Sequence, residues 1–409
     1  MRTSVVVGRP NRSLSTFSPF VSGSIRGLNV ATILSLAFAI AGCEEGPRDL
    51  PSGPNTRIRH PNDENQPPPD ASSITGDSVP RGLSEEATAA WIAAKRSLLS
   101  ATPLFRIGSE ERGPELFGYV PKADFAPNGN LVVLDEDAQE IRIFDPQGRF
   151  VEQFGGVGDG PMELRRARDF HLFPDGRIAV PLGEYGAIKI FERSETRWEL
   201  SEIVDARSRS LCGMDDGRWF SAAYASASGS TIINELGDSV RSFGSGYRYD
   251  KWYIRRALSG GSVACLDESD RIVYGFEVLP LVQGYTTDGS LQWTAVVLED
   301  YLQLRVTESQ GPGGTVAYSE GTLLDHDRLM SVFAVGNGDH VLLDYSRVLP
   351  DQKEIVQRHY LIDAATGAGA YLGDDALPAV VSVQPDGYVA LFADRTVYLE
   401  VRRIPAGTR

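Results

Sequence analysis

The 409-residue sequence predicts an all-β fold assembled from repeated four-stranded antiparallel sheets. Three observations favour this class. Two apolar runs joined by a tight turn recur along the chain, and a third apolar run follows each pair. Glycine and proline are abundant, at 42 and 24 residues, as expected for a chain with many turns. Self-similarity at this spacing is typical of folds in which similar units stack against one another.

The repeated hairpins carry the strongest signal. They are clearest at 125–135, 172–180 and 383–391, which read FAPNGNLVVLD, LFPDGRIAV and VQPDGYVAL. Asn-Gly and Asp-Gly between apolar runs indicate tight hairpin turns. Weaker copies occupy 212–220, 264–273 and 332–343. The six turns are centred on Gly129, Gly176, Gly217, Asp270, Gly338 and Gly387.

Further strands complete each repeat. Third strands are expected at 141–145, 188–191, 281–286 and 359–363, and a fourth strand at 150–154. Six units of four strands predict a six-bladed β-propeller with about 50 residues per blade. The last unit ends after its third strand, at 397–401. The strand at 104–107 is therefore predicted to complete it, which closes the ring and removes an exposed sheet edge.

The segments FGGVGDGPMEL at 154–164 and IRIFD at 141–145 resemble the NHL-repeat pattern. They resemble more closely the bacterial six-bladed β-propeller lipoproteins. The likeness covers about 102–404 and is strongest in the first two units and the last, whereas the pattern breaks around 294–328. This resemblance implies a fold and a scaffold role, but a propeller does not determine a function.

The N-terminal residues resemble an export signal. Four arginines precede an uncharged stretch whose apolar centre, 30–41, is too short to span a membrane as a helix. It ends in Ile40-Ala41-Gly42-Cys43, which resembles the lipobox of bacterial lipoproteins, in which the cysteine is diacylated and becomes the first residue. We therefore predict a lipoprotein signal peptide over 1–42 and lipidation of Cys43. The alternative is an ordinary signal peptide or a short anchor, in which Cys43 is incidental.

Three further regions follow the signal. Residues 43–82 are rich in proline and poor in large apolar side chains, so we predict a disordered tether. Ser84 followed by two glutamates predicts the start of a short helix within 83–101, and the propeller occupies 102–409. Glu44 after the lipidated cysteine favours the outer membrane by the sorting rule known in some bacteria. The expected location is the bacterial cell envelope, with membrane attachment through the lipid anchor only.

Composition and motifs exclude several classes. Asp and Glu number 55 against 40 Lys and Arg, and the net charge of −15 argues against a nucleic-acid partner. Three cysteines exclude a disulfide-stapled miniprotein and a Cys₄ zinc site. The sequence contains no Gly-x-Ser-x-Gly, His-Glu-x-x-His or Cys-x-x-Cys motif, and no cofactor is predicted.

The repeat itself predicts a ring of residues around the central channel. Counting five positions back from each turn centre gives Asp124, His171, Cys212, Cys265, Phe333 and Ser382. Propeller hydrolases of the gluconolactonase and paraoxonase kind hold a metal on this axis, and here only Asp124 and His171 are candidate ligands. The simpler interpretation is that the six residues pack the channel wall. Two free thiols are favoured for Cys212 and Cys265, because neighbouring inner strands often lie too far apart for a disulfide.

A second candidate site is electrostatic. In a propeller, the links from each fourth strand to the next inner strand lie on one face. These links carry basic and aromatic residues, namely Lys122, Arg165, Arg166, Arg168, Arg255, Arg256, Trp252 and Tyr253, with Arg328 as a further candidate. A basic cluster on an acidic body favours an anionic or carbohydrate ligand. The alternative is that the arginines pair with nearby acids while the aromatic residues pack between blades.

Our first functional hypothesis is therefore a lipid-anchored binding or protein-interaction module of the cell envelope. Its partner would be an envelope protein, a glycan or a small anionic ligand. The alternative is an enzyme, a metal-dependent lactonase-like or other hydrolase with its site at the channel. A purely structural subunit of an outer-membrane complex is a third class.

The lipobox leads to a direct prediction. Mass spectrometry of the mature protein should show an N-terminal Cys43 carrying acyl chains, because two or more chains give stable anchoring. Replacing the cysteine, Cys43→Ser, should release the protein from the membrane fraction. An unmodified mature N-terminus at another residue would contradict the prediction.

Overall fold

The computed structural model of the protein gathers residues 47–409 into one compact unit. It describes residues 55–59, 83–109, 113–183, 186–223, 231–237, 241–246, 256, 258–279, 281–298, 306–310, 316–320, 327–335, 338–348, 355–373, 377–384, 387–393 and 398–404. The signal peptide and Cys43 lie outside the described residues.

The described elements begin with β1 (Asn55–Arg59), α1 (Glu85–Ser100) and β2 (Phe105–Ile107). Blade one contains β3 (Lys122–Phe125), β4 (Leu131–Asp135), β5 (Glu140–Phe144) and β6 (Phe150–Gly155). Blade two contains β7 (His171–Leu172), β8 (Ile178–Pro181), β9 (Ile188–Arg193) and β10 (Trp198–Val204). Blade three contains β11 (Ser208–Gly213), β12 (Trp219–Ala223), β13 (Ile233–Leu236) and β14 (Arg241–Phe243).

Blade four contains β15 (Gly261–Leu266), β16 (Arg271–Phe276), β17 (Leu281–Thr286) and β18 (Leu291–Leu298). A separate hairpin of β19 (Val306–Gln310) and β20 (Val316–Glu320) follows where the repeat pattern breaks. Blade five contains β21 (Asp327–Val335), β22 (His340–Val348), β23 (Ile355–Asp363) and β24 (Gly369–Tyr371). Blade six contains β25 (Ala379–Val383), β26 (Tyr388–Ala393) and β27 (Tyr398–Arg403), with β2 as its outer strand.

The predicted six-bladed propeller of four-stranded antiparallel blades is confirmed. Consecutive strands pair as antiparallel neighbours within every blade. All six predicted turn centres have a positive φ, from 50° at Asp270 to 92° at Gly387. Glycine tolerates this region without steric cost, which explains why five of the six positions are glycine.

The second strands read as continuous apolar runs rather than as alternating ones. All five residues of β4 are buried, and so are those of β12. Each blade lies between two neighbours, so both faces of its central strands are covered. For example, Leu131 and Val133 pack with Leu399 and Val401 across the interface between blades one and six.

The N-terminal strand closes the ring, as predicted. β2 pairs antiparallel with β27, so that Phe105 lies opposite Val401 and Ile107 lies opposite Leu399. Only 1% of Ile107 is exposed, because its side chain joins the apolar cluster between blades six and one. The last blade therefore receives its outer strand from the beginning of the folded body.

The predicted helix is also confirmed, and it is fixed firmly to the ring. Ser84 caps its N-terminus by accepting a hydrogen bond from the Ala87 amide at 3.1 Å. At the other end, Arg402 donates to the carbonyl oxygens of Leu98 and Leu99, at 3.0 and 2.6 Å. Leu98 also accepts from the Ala101 amide at 3.3 Å, and the guanidinium of Arg402 supplies further donors to the last carbonyls of the helix. No described helix is long and apolar enough to cross a membrane.

The structure differs from the predicted tether at one place. Residues 55–59, within the predicted disordered segment 43–82, form β1, which pairs in parallel with Thr294–Leu298 of β18. The physical reason is the outer edge of blade four, whose backbone groups are open to another strand. Thr56 and Ile58 are β-branched and favour an extended backbone. The rest of the predicted tether lies outside the described residues.

Closure can be tested at Ile107. Substituting Ile107→Ala should lower the free energy of unfolding by about 2–5 kcal/mol, because it opens a cavity between blades six and one. Val151→Ala, on an outer strand where 47% of the residue is exposed, is the matched control. It should change stability by no more than about 0.5 kcal/mol.

The stronger form of this test is a deletion. Removing 102–108 should abolish cooperative urea unfolding or cause aggregation, whereas removing the equally long segment 66–72 should not. Unchanged unfolding of the first deletion would contradict closure by β2.

Candidate functional site

Two buried cations shape one face of the ring. We call this face, which carries the links between blades including 113–120 and 156–169, the linker face, and the face with the six hairpin turns the hairpin face. Arg142 of β5 donates to the carbonyl oxygens of Pro114 and Leu116, at 3.3 and 2.5 Å. Lys189, at the equivalent place in β9, donates to Gly160 and Glu163 carbonyls at 2.6 and 2.7 Å.

These contacts make the links rigid. Both side chains are largely buried, and a buried cation is tolerated only when carbonyl or carboxylate oxygens surround it. Burial lowers the pKa of Lys189. Arg142 also lies 3.2 Å from the carboxylate of Asp135. The sequence indicated the matching link motifs but not the cations that hold them.

The central channel contains a cavity of about 370 Å³. The six residues found by counting back from the turns all line it, namely Asp124, His171, Cys212, Cys265, Phe333 and Ser382. Each comes from the inner strand of a different blade, so the channel wall is built by the repeat itself.

Cys212 and Cys265 form a disulfide, so the expectation of two free thiols was wrong. Their Cα atoms are 5.5 Å apart, within the range that a disulfide spans. The inner strands β11 and β15 lie closer than the sequence argument assumed, and the hydroxyls of Ser210 and Ser262 on the same two strands are only 3.2 Å apart. A disulfide is typical of proteins outside the reducing cytoplasm.

Lys122 lies in the channel wall rather than on the open rim. Its Nζ is 3.3 Å from Asp169 Oδ1, and the Asp169 carboxylate also accepts hydrogen bonds from the amides of Phe170 and Leu211, at 2.8 and 2.9 Å. Burial lowers the pKa of Lys122, but the attraction of Asp169 and Asp124 outweighs it and raises the pKa above its usual value. This ion pair connects blades one, two and three.

Asp124 of blade one is bound by a residue of blade six, where the ring closes. The amide of Gln384 in blade six and the backbone N–H of Phe125 both donate to its Oδ1. Burial raises the pKa of Asp124, although Lys122 opposes this shift.

His171 is neutral at physiological pH. Burial, together with the nearby Lys122 charge, lowers its pKa to about 3. Its imidazole lies against Gly213, where an added Cβ would be 2.2 Å from Nε2. The described residues include no group of three or more His, Cys, Asp or Glu that could hold a metal ion. Asp124 and His171 therefore lack the companions that a metal centre would require within the described part of the chain.

The structure separates the predicted rim residues. Arg165 pairs with Asp159 at 2.8 Å, and Arg168 pairs with Glu136 at 2.8 Å, as the alternative interpretation expected. Arg166 has a positive φ of 60° beside Gly183. Arg256 is half-buried and precedes blade four. Arg255, Trp252 and Tyr253 lie outside the described residues.

Sequence reasoning named Arg328 but missed Arg209 and the acid that the two arginines share. Arg209 and Arg328 both bind the carboxylate of Glu277. Glu277 follows β16, Arg209 is the second residue of β11, and Arg328 is the second residue of β21. The predicted rim residues came from the links between blades, whereas Arg209 lies just inside a strand.

Tyr119 adds an aromatic surface near these cations. It is 39% exposed, and its backbone carbonyl accepts a hydrogen bond from the Glu136 amide at 2.8 Å. Burial raises the pKa of Tyr119, the charge of Glu136 raises it further, and Arg168 and Arg328 oppose the shift. Tyr119 thus lies within electrostatic range of arginines from two separate blades.

No protein-family model and no curated protein matches the sequence, so the resemblance to NHL-repeat lipoproteins stays a prediction. Solved structures are similar only at a distance. Hydrazine synthase from Kuenenia stuttgartiensis is 13% identical, with a TM-score of 0.43 over 69% of this chain and 76% of that chain. A member of the DUF4221 family from Bacteroides vulgatus is 12% identical, with a TM-score of 0.45 over 73% and 95%.

Virginiamycin B lyase from Staphylococcus aureus, solved with quinupristin, is 9% identical, with a TM-score of 0.41 over 73% of this chain and 100% of that chain. Likenesses this distant carry no information about the ligand or the reaction of this chain.

The disulfide gives a measurable contribution to stability. Replacing both cysteines, Cys212→Ser with Cys265→Ser, should lower the free energy of unfolding by about 2–4 kcal/mol, because the bond constrains the unfolded chain between them. Urea unfolding measures the change, and the reduced wild-type protein should behave like the double variant. If both thiols react with Ellman's reagent in the unreduced, denatured protein, the bond is absent.

Proposed function

We propose that the protein is an exported, lipid-anchored binding module of the bacterial cell envelope, and that it binds an anionic ligand on its linker face. The observation that supports the proposal is the sharing of one carboxylate, Glu277, by two guanidinium groups, Arg209 and Arg328.

The two guanidinium groups are more accessible than the carboxylate that they share, on a chain whose net charge is −15. The side chains of Arg209 and Arg328 are 27% and 48% exposed, whereas that of Glu277 is only 11% exposed. A ligand approaching from solvent therefore meets the guanidinium groups before the carboxylate.

Glu277 also fixes the two arginines in advance. A guanidinium held by one carboxylate keeps N–H groups that can donate to a second anion. Ordering a free arginine on binding costs about 0.5–1.5 kcal/mol, and prior fixation reduces that cost. The site thus has the rigidity that bidentate recognition of a carboxylate or sulfate requires.

The wider rim supplies the rest of the proposed surface. Tyr119, which is 39% exposed, is the aromatic candidate for a sugar contact, and Arg256 precedes β15 of blade four. The sequence-predicted residues Arg166, Arg255, Trp252 and Tyr253 complete the proposal as candidates, whereas Arg165 and Lys122 are already neutralised by Asp159 and Asp169. An acidic glycan, which combines anionic groups with sugar faces, fits this composition best.

Two features support export. The disulfide favours an oxidising compartment, and the lipobox ending in Cys43 favours acylation after export. The metal-dependent hydrolase receives no support, because Asp124 and His171 gain no further ligand among the described residues.

The proposal predicts a specific loss of glycan binding. The double variant Arg209→Ala with Arg328→Ala should bind uronate-rich or sulfated glycans on an array at least about tenfold more weakly, a change of about 1.4 kcal/mol. Arg197→Ala is the matched control, since Arg197 is an exposed arginine paired with Glu199 on an outer strand. It should bind as the wild type does.

Salt provides the second readout. Binding through exposed cations should weaken as ionic strength rises, because salt screens such charges. Thermal unfolding of the double variant must show an intact ring. Preference for neutral glycans, or unchanged binding by the folded double variant, would contradict the proposal.

A further inference from the structure

We propose that the channel cavity is a second binding site, for a small organic ammonium ion, which Asp124 and His171 receive. This site is separate from the linker-face arginines. It lies among the inner strands, and its walls differ sharply in chemistry.

One wall of the cavity is polar and the other is apolar. Lys122, Asp124, His171, Ser382 and Gln384 supply the polar wall, from blades one, two and six. The apolar wall contains Phe173, Met214, Phe333 and the disulfide. At about 370 Å³ the cavity falls within the range of small-molecule sites. A ligand with one polar end and a compact apolar body matches these walls.

The fixed charges of the cavity favour a cation. Lys122 is compensated by Asp169, 3.3 Å away. Asp124 and Asp215 also line the cavity, and they have no second lysine or arginine among its described lining residues. His171 contributes no charge in its neutral form. The summed charge of these side chains is therefore negative, and a bound organic cation would offset it.

The hydrogen-bond acceptors of Asp124 and His171 favour a ligand that carries several donors. Both protein donors to Asp124 reach Oδ1, and no hydrogen bond to its Oδ2 is found among the described residues. The His171 imidazole likewise has no hydrogen-bond partner there, and it contacts Phe173 only edge-on, with ring centroids 4.8 Å apart. A neutral imidazole accepts one hydrogen bond, and an ammonium group donates three.

A metal ion fits this cavity less well. Calcium takes 6–8 oxygen ligands, and catalytic zinc uses about three protein ligands. The described residues gather no such group. An ammonium ion needs fewer acceptors, and its apolar substituent would lie beside Phe173 and Phe333 in the cavity wall.

The test uses two probes of similar size and opposite charge, phenethylammonium and phenylpropanoate, on the mature full-length protein. Isothermal titration calorimetry should detect the ammonium and not the carboxylate. Asp124→Asn should weaken ammonium binding by at least about tenfold. The control Asp216→Asn removes an exposed acid paired with Arg218 on the hairpin face and should leave binding unchanged.

A second variant guards against misfolding of the first. His171→Phe keeps an aromatic ring beside Phe173 and removes the acceptor, so it should weaken binding several-fold while the thermal transition persists. Equal binding of both probes, unchanged affinity in folded Asp124→Asn, or displacement of the ammonium by calcium ion would overturn the proposal. None of these outcomes depends on the linker-face arginines.

Discussion

The pairing of β2 with β27 is the constraint on which the rest of the structure depends. Each blade needs apolar side chains from both neighbours, and Ile107 supplies them where the ring closes. The closing strand comes from the start of the folded body, so the ring is complete only when both ends of the chain are in place. Asp124 of blade one then meets Gln384 of blade six across the closure. The channel is thus a product of closure and not of any single blade.

The buried cations of blades one and two are all bound by oxygen acceptors. Arg142 and Lys189 donate to carbonyl oxygens of the links, and Lys122 joins three blades through Asp169. A buried cation without such partners would cost several kcal/mol, so each of them fixes the position of the backbone around it. The links that precede blades one and two are therefore held against the ring. Arg209 and Arg328 are held separately, by Glu277.

The fold could be predicted because its signals are local, whereas much of the candidate site could not. A hairpin turn requires positive φ, which few residues other than glycine adopt, so the six centres are visible in the sequence. The disulfide depends instead on a distance of 5.5 Å between strands of neighbouring blades, which no spacing in the sequence encodes. The link arginines were visible, but their acidic partners were not. Arg209 escaped notice because it lies inside a strand.

The two proposed sites lie at different points along the same strands. β11 places Arg209 at the linker face and Cys212 in the channel, and Asp215 follows near the hairpin face. Three residues of extended chain, about 10 Å, separate Arg209 from Cys212, which is level with Asp124 and His171 in the ring. This distance is close to the Debye length of about 8 Å at physiological salt, so salt weakens the influence of the linker-face charges on the channel without removing it. A single inner strand therefore carries an arginine at the linker face and a channel residue three positions further along, and binding at the two sites should be more nearly independent as ionic strength rises.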